Sequence, residues 1–142
     1  MFILPTPEAL QEMMGRLPEG PFVMLNLYRL RDTADYSAHP ELAPATPVSG
    51  RELFERYAAG MERHLAEVGA KRVFLAVGGS CLIGPPGDRW DVVQLVRYPS
   101  LQAFMALSAN EEMQAELPHR FAMLEDSRVI PMVERSLLTS PP

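Results

Sequence analysis

The chain is poor in the features that would narrow its chemistry at once. It has one cysteine, Cys81, so an intrachain disulfide and any multi-cysteine zinc or iron–sulfur site are excluded, and a reducing compartment fits. No apolar run is long enough to cross a bilayer. The opening MFILPTPEAL lacks the basic stretch and longer apolar core of a secretory leader, so a cytoplasmic location is expected. Basic residues are both few and scattered: 13 Lys and Arg stand against 18 Asp and Glu, a net charge of −5. Nothing clusters to attract nucleic acid or an anionic membrane, and neither partner is expected. What is present is ordinary. At 142 residues and 47% apolar, the chain has enough material for one domain that buries roughly 70% of its unfolded surface.

Thr6-Pro7 is a cap followed by a favoured first helical position, and Leu10, Met13, Met14 and Leu17 recur at helical spacing. This predicts a short N-terminal helix to about Gly15, within an extension covering residues 1–20. Phe22 to Leu30 reads as a first strand, and residues 32–48, with Pro40, Pro44 and Pro47, as a long loop. Ser49-Gly-Arg-Glu52 is a capping box. Behind it Leu53, Phe54, Tyr57, Ala58, Met61, Leu65 and Val68 form one helical stripe that Gly69 stops. Strands are predicted at 73–77 and 90–98 around a turn-rich connection, then a helix from Ser100 to Leu124, interrupted near 108–110 and restarted at Pro118, and a last strand at 129–133.

After the first helix the order is β-α-β-β-α-β. Two right-handed crossovers around a central hairpin give an α+β, ferredoxin-like antiparallel sheet with its main helices on one face. The domain is set at 21–135, with 136–142 as a tail. Pro131 suits an edge strand. Three strands are apolar on both alternating faces, whereas helices cover one. A second copy of the sheet is the expected cover, giving a homodimeric α+β barrel; the alternative is that the N-terminal helix covers it.

Four segments, Met-Leu-Asn-Leu at 24–27, Ser-Gly-Arg-Glu-Leu-Phe-Glu-Arg-Tyr at 49–57, Trp-Asp-Val-Val-Gln-Leu-Val-Arg-Tyr-Pro-Ser at 90–100 and Leu-Glu-Asp-Ser-Arg-Val-Ile-Pro at 124–131, resemble the domain-of-unknown-function family 1330 of the dimeric α+β barrel superfamily. The resemblance covers about residues 21–134 and implies a homodimer whose sheets close a barrel. It implies no agreed activity. Relatives in the superfamily include cofactor-free monooxygenases, haem-degrading enzymes, muconolactone-type isomerases and polyketide cyclases. The haem degraders pair a first-strand Asn with a Trp ending the third strand and a His on the next helix. Here Asn26 fits, Tyr98 stands in place of the Trp, and no His lies between Tyr98 and His119, so haem is not expected.

Asn26 and Tyr28 share one face of the first strand, and Trp90, Gln94 and Tyr98 one face of the third. Polar groups converging in an apolar, aromatic lining describe a small-molecule pocket; hydrogen-bonded core residues are the plainer reading. Asp91 and Arg97 take the opposite parity, as a charge pair across a dimer or as ligand anchors. His119-Arg120 offers a general base and a carboxylate holder, or only a solvated helix end. His64 reads as a boundary histidine and Cys81 as a buried small hydrophobe.

Other motifs fail. Gly79 to Gly84 has phosphate-loop spacing, but Pro85 replaces the lysine. Gly78 to Leu82 lacks the last glycine of a nucleophile elbow, and Glu116-Leu-Pro-His119 is a single weak metal-ligand pair.

The expectation is therefore a cytoplasmic homodimer binding a small, partly apolar organic molecule without metal or cofactor. Its site draws on Asn26, Tyr28, Trp90, Gln94, Arg97 and Arg120, with Tyr98 and His119 as orienting or proton-transfer groups. A cofactor-independent enzyme of the monooxygenase, isomerase or cyclase type is one form of this. The alternative is a non-catalytic structural or regulatory dimer with a filled interior.

Overall fold

The computed structural model describes residues 1–135; the 136–142 tail lies outside the described residues. The elements are α1 (Pro7–Arg16), β1 (Phe22–Leu30), α2 (Gly50–Glu67), β2 (Lys71–Ser80), β3 (Arg89–Tyr98), α3 (Leu101–Ser108), α4 (Glu111–Ala115), α5 (Leu117–Met123) and β4 (Leu124–Met132). Strand order is β2-β3-β1-β4, with every neighbouring pair antiparallel. This is the ferredoxin-like α+β arrangement expected, with β4 and its Pro131 on an edge. Among the described residues no helix is long and apolar enough to cross a membrane.

Local chemistry sets the helix ends. The hydroxyls of Thr6, Ser49 and Ser100 and the amide oxygen of Asn110 each accept a backbone N–H of the following first turn. α2 ends where Gly69, at φ +74°, lets its own amide reach Ala66 O and that of Ala70 reach Leu65 O. Pro118 lies in the first turn of α5, where its missing N–H costs nothing.

Two boundaries differ from expectation. β2 runs over 71–80 instead of 73–77, so Gly78 and Gly79 belong to the strand and the connection is 81–88. β4 begins at Leu124, not at 129. Within the charged run Glu125 to Arg128, Asp126 lies opposite Arg29 and Ser127 opposite Tyr28, so polar groups meet polar partners at the centre of the run. Burial pushes the Asp126 carboxyl up, but the Phe2 amide, Arg128 and the Ser127 amide outweigh it and hold the group below its ordinary value. Cys81 is also corrected: it is half-buried in the hairpin, its Sγ 3.6 Å from Asp88 Oδ2.

The helix side of the sheet carries two apolar cores. One gathers Tyr28, Leu30, Phe54, Val92 and Met123, together with Ile3. The other gathers Phe22, Met24, Leu65, Val96 and Tyr98, together with Met13 of α1. The N-terminal helix therefore packs on the helix side and leaves the opposite face uncovered. On that face Phe74, Leu95, Leu25 and Ile130 stand in register across all four strands, and Phe74 and Ile130 are 50% and 47% exposed.

The long loop is pinned at both ends. Arg31 N donates to Met123 O and Gly50 N to Arg31 O, which brings three backbones together at the start of α2. A Cβ on Gly50 would lie 2.4 Å from Arg31 O and 2.8 Å from Met123 O. Gly50→Ala should lower the unfolding free energy by about 1–3 kcal/mol in denaturant titration. Gly60→Ala in the same helix, where a Cβ meets nothing within 4 Å, should raise it by about 0.5–1 kcal/mol. Equal midpoints for the two variants would contradict the packing described.

Candidate functional site

The antiparallel register of β1 and β3 sets Asn26 opposite Gln94 on the helix face, between the two apolar cores. A buried amide there must find partners, and the two amides find them through Tyr28. Asn26 Nδ2 donates to Met24 O at 3.1 Å, and Tyr28 OH donates to Asn26 Oδ1 at 3.2 Å. Gln94 Nε2 donates to Tyr28 OH at 3.3 Å, and Arg72 Nε donates to Gln94 Oε1 at 2.9 Å. Arg72 then anchors on α2, through Ala58 O at 3.2 Å and the Glu62 carboxylate.

A second guanidinium enters from α5. Arg120 Nη1 donates to Tyr28 OH at 3.4 Å, Nη2 to Ile3 O at 3.4 Å, and the group stands 5.3 Å from the centre of the Tyr28 ring. The Tyr57 phenol of α2 interacts electrostatically with the same guanidinium. The Tyr28 hydroxyl thus gives one hydrogen bond and takes two, its full capacity.

Burial governs the electrostatics. It pushes the Tyr98 phenol far up, with Tyr28 and Tyr57 adding to the effect, and it also raises Tyr57, against the pull of Arg120. Arg72 is lowered by the same cause. For Arg120, burial lowers the guanidinium, but the phenols of Tyr28 and Tyr57 outweigh it and hold the group up. With their phenols raised, Tyr57 and Tyr98 are neutral at ordinary pH.

Tyr57 also lines a cleft of about 210 Å³ between α2 and α4, with Arg56, Met61, His64, Met113 and Glu116 among its walls. His64 is buried beside the cleft, with Glu112 Oε2 3.4 Å from its Nε2. Tyr36 of the long loop sits near Arg56 and Glu116; burial raises its phenol first, Glu116 adds to this and Arg56 opposes it. Among the described residues no group of three His, Cys, Asp or Glu side chains is placed to hold a metal ion.

Of the residues named from the sequence, the structure joins Asn26, Tyr28, Gln94 and Arg120 in one network. Tyr98 lies next to it, stacked on Phe22 at 5.3 Å and edge-on to Phe104. His119 faces another way: its Nδ1 is 2.7 Å from Tyr36 OH. Trp90 is sandwiched by cations instead of joining Gln94, with Arg29 and Arg128 4.7 and 5.3 Å from its ring centre. Arg97, opposite Val23 on the uncovered face, pairs with Glu134 at 2.6 Å. Asp91 accepts Leu30 N at 2.7 Å and lies 3.4 Å from Arg89. Arg72, Tyr57 and Tyr36 are the site residues that sequence reasoning missed; Tyr57 is visible in the sequence only as part of an apolar stripe.

A phenol whose folded pKa is raised contributes stability that is complete below its unfolded value, about 10, and is lost as pH rises toward the folded value. Tyr98→Phe should therefore make stability fall less steeply than in the parent as pH is raised from neutrality through that value, measured by denaturant midpoints. Identical slopes would contradict the burial of this hydroxyl.

No protein-family model matches the chain, and no curated protein does. Among solved structures, the crystal structure of the methylated RPA0582 protein shares 31% identity, covering 96% of this chain and 96% of its own, with a TM-score of 0.82. That of RPA0582 described as a protein of unknown function from Rhodopseudomonas palustris gives 31%, 94% and 97%, with a TM-score of 0.81. A dabb family protein with a ferredoxin-like fold from Mesorhizobium loti is far more distant, at 10% identity over 82% of this chain and 99% of its own, with a TM-score of 0.47, and bears no weight here. Agreement in both sequence and backbone over nearly the whole length goes beyond a shared fold: the chain belongs to the family of the RPA0582 protein of Rhodopseudomonas palustris.

Proposed function

We propose that this protein is a homodimeric α+β barrel that binds a small, partly apolar organic molecule on the helix side of its sheet, reached through the cleft at Tyr57. The observation that carries this reading is the placement of polar groups. Two guanidiniums, the Tyr28 phenol and two amides are joined by hydrogen bonds in an otherwise apolar interior, and the Tyr57 phenol, which interacts electrostatically with Arg120, lines an open cleft. A few polar groups set in apolar walls make an orienting site. Donors gathered at one point stabilise negative charge developing on oxygen. Such a set suits proton relocation beside a carbonyl, the isomerase or cyclase type of cofactor-independent chemistry, with Tyr28 and Tyr57 as the orienting groups and His119, paired with Tyr36, at a separate position on α5.

The dimer rests on the register of Phe74, Leu95, Leu25 and Ile130 across a face that no helix of the described residues covers. A half-exposed side chain of this size forgoes about 1 kcal/mol of burial, so a second sheet laid on the row gains from each. Membership in the domain-of-unknown-function family 1330 belongs to the same proposal, on the segments at 24–27, 49–57, 90–100 and 124–131, as does a cytoplasmic setting, on the single cysteine.

One observation favours a second reading, a structural or regulatory dimer with a filled interior. Among the described residues, Arg31 Nε is the buried side-chain polar atom without a hydrogen-bond partner, so the Asn26–Gln94 row is satisfied by the chain's own groups. Native mass spectrometry of the protein mixed with small aromatic fragments separates the two. The proposal expects fragment adducts on the dimer, weakened about tenfold in Tyr57→Ala, a loss in line with one well-made contact, with the dimer intact. A dimer that takes up no fragment would remove the ligand reading and leave the structural one.

A further inference from the structure

The two guanidiniums that meet the polar row are not equivalent. Arg72 is neutralised by Glu62. Arg120 has no carboxylate within 4.0 Å among the described residues. Its hydrogen bonds go to the Tyr28 hydroxyl and the carbonyl of Ile3, both at 3.4 Å, past the usual range for N–H···O. A half-buried cation is stable when an anion meets it with hydrogen bonds, and the described residues provide none here. Its planar fork of donors matches the two oxygens of a carboxylate.

The surroundings extend the argument outward. Tyr57 lines the cleft and interacts electrostatically with Arg120. Met61 and Met113 give that cleft an apolar wall, and its charged lining is Arg56 and Arg63 with Glu112 and Glu116, of which Glu112 pairs with Arg63. We infer that the ligand of this site is a small organic acid, its carboxylate held by Arg120 between the hydroxyls of Tyr28 and Tyr57, and its apolar remainder lying along Met61 and Met113. The inference rests on the proposed ligand site and adds the chemical class of its occupant. Binding the acid supplies the charge that Arg120 lacks, and the weak contacts to Ile3 O and Tyr28 OH are what it replaces. Neutral molecules of the same shape gain only the apolar wall.

Benzoate and benzamide, near-identical in shape and different in charge, provide the test by isothermal calorimetry at low salt on the full chain. Benzoate should bind at least about tenfold tighter than benzamide, the margin of one charge-assisted hydrogen bond over a neutral one. Arg120→Gln should erase the preference. Arg120→Lys, which keeps the charge and loses the fork, should retain part of it and serves if the glutamine variant does not fold; Arg16→Gln, on α1 and outside the cleft lining, should leave the preference in place. Equal binding of the two probes to the parent, or a preference that survives Arg120→Gln, would overturn the carboxylate assignment while the cleft stands as a ligand site. Uptake of neither probe, where neutral fragments do bind, overturns it as well; uptake of neither probe nor any fragment removes the ligand site itself.

Discussion

A sheet that is apolar on both faces cannot be completed by one layer of helices, and the architecture of this protein follows from that constraint. α2 to α5 and α1 all sit on one side, where Phe22, Met24, Val92 and Val96 disappear beneath them. The other side keeps a straight apolar row from Phe74 on one edge to Ile130 on the other. In water that row loses the burial its residue types are selected for. The two faces therefore differ in role, the helix side building an interior and the open side being suited to a second copy.

Within the helix side the informative departure is polar. Asn26 and Gln94 interrupt two runs of large apolar residues at the same level of the sheet. An unmade hydrogen bond on either amide would cost about 1–3 kcal/mol, and placing an apolar pair there would avoid the demand altogether. Instead the chain uses Tyr28 and Arg72 to satisfy them, and Arg120 donates to the Tyr28 hydroxyl with no carboxylate within 4.0 Å among the described residues. An interior built only for stability has no need of that second guanidinium.

How much of this was legible depended on whether the signal was local. β1 could be bounded from alternation and its flanking Pro21 and Arg31, and α2 from its capping box and Gly69, because those signals lie within the elements themselves. β4 was misplaced by five residues, since Glu125 to Arg128 looks like a solvated helix end until Arg29 and Tyr28 are known to lie opposite. Asn26, Tyr28 and Gln94 were readable as a face by parity alone. Arg72 was not, because the register shift between Arg72 and Phe74 breaks the alternation from which its side would be counted. Whether His119 or Arg120 points inward depends on the phase at which α5 restarts around Pro118, and only the fold sets that phase: Arg120 meets Tyr28, and His119 meets Tyr36.

The division of labour between the two faces is tested most directly by sedimentation equilibrium of the parent chain and of Phe74→Glu and Ile130→Glu, two half-exposed positions where a charge leaves the helix-side cores untouched. The account predicts twice the 15.8 kDa chain mass for the parent at micromolar concentration and the single-chain mass for both variants, each still folded by circular dichroism. A parent that sediments as a single chain, or variants that remain paired, would contradict it.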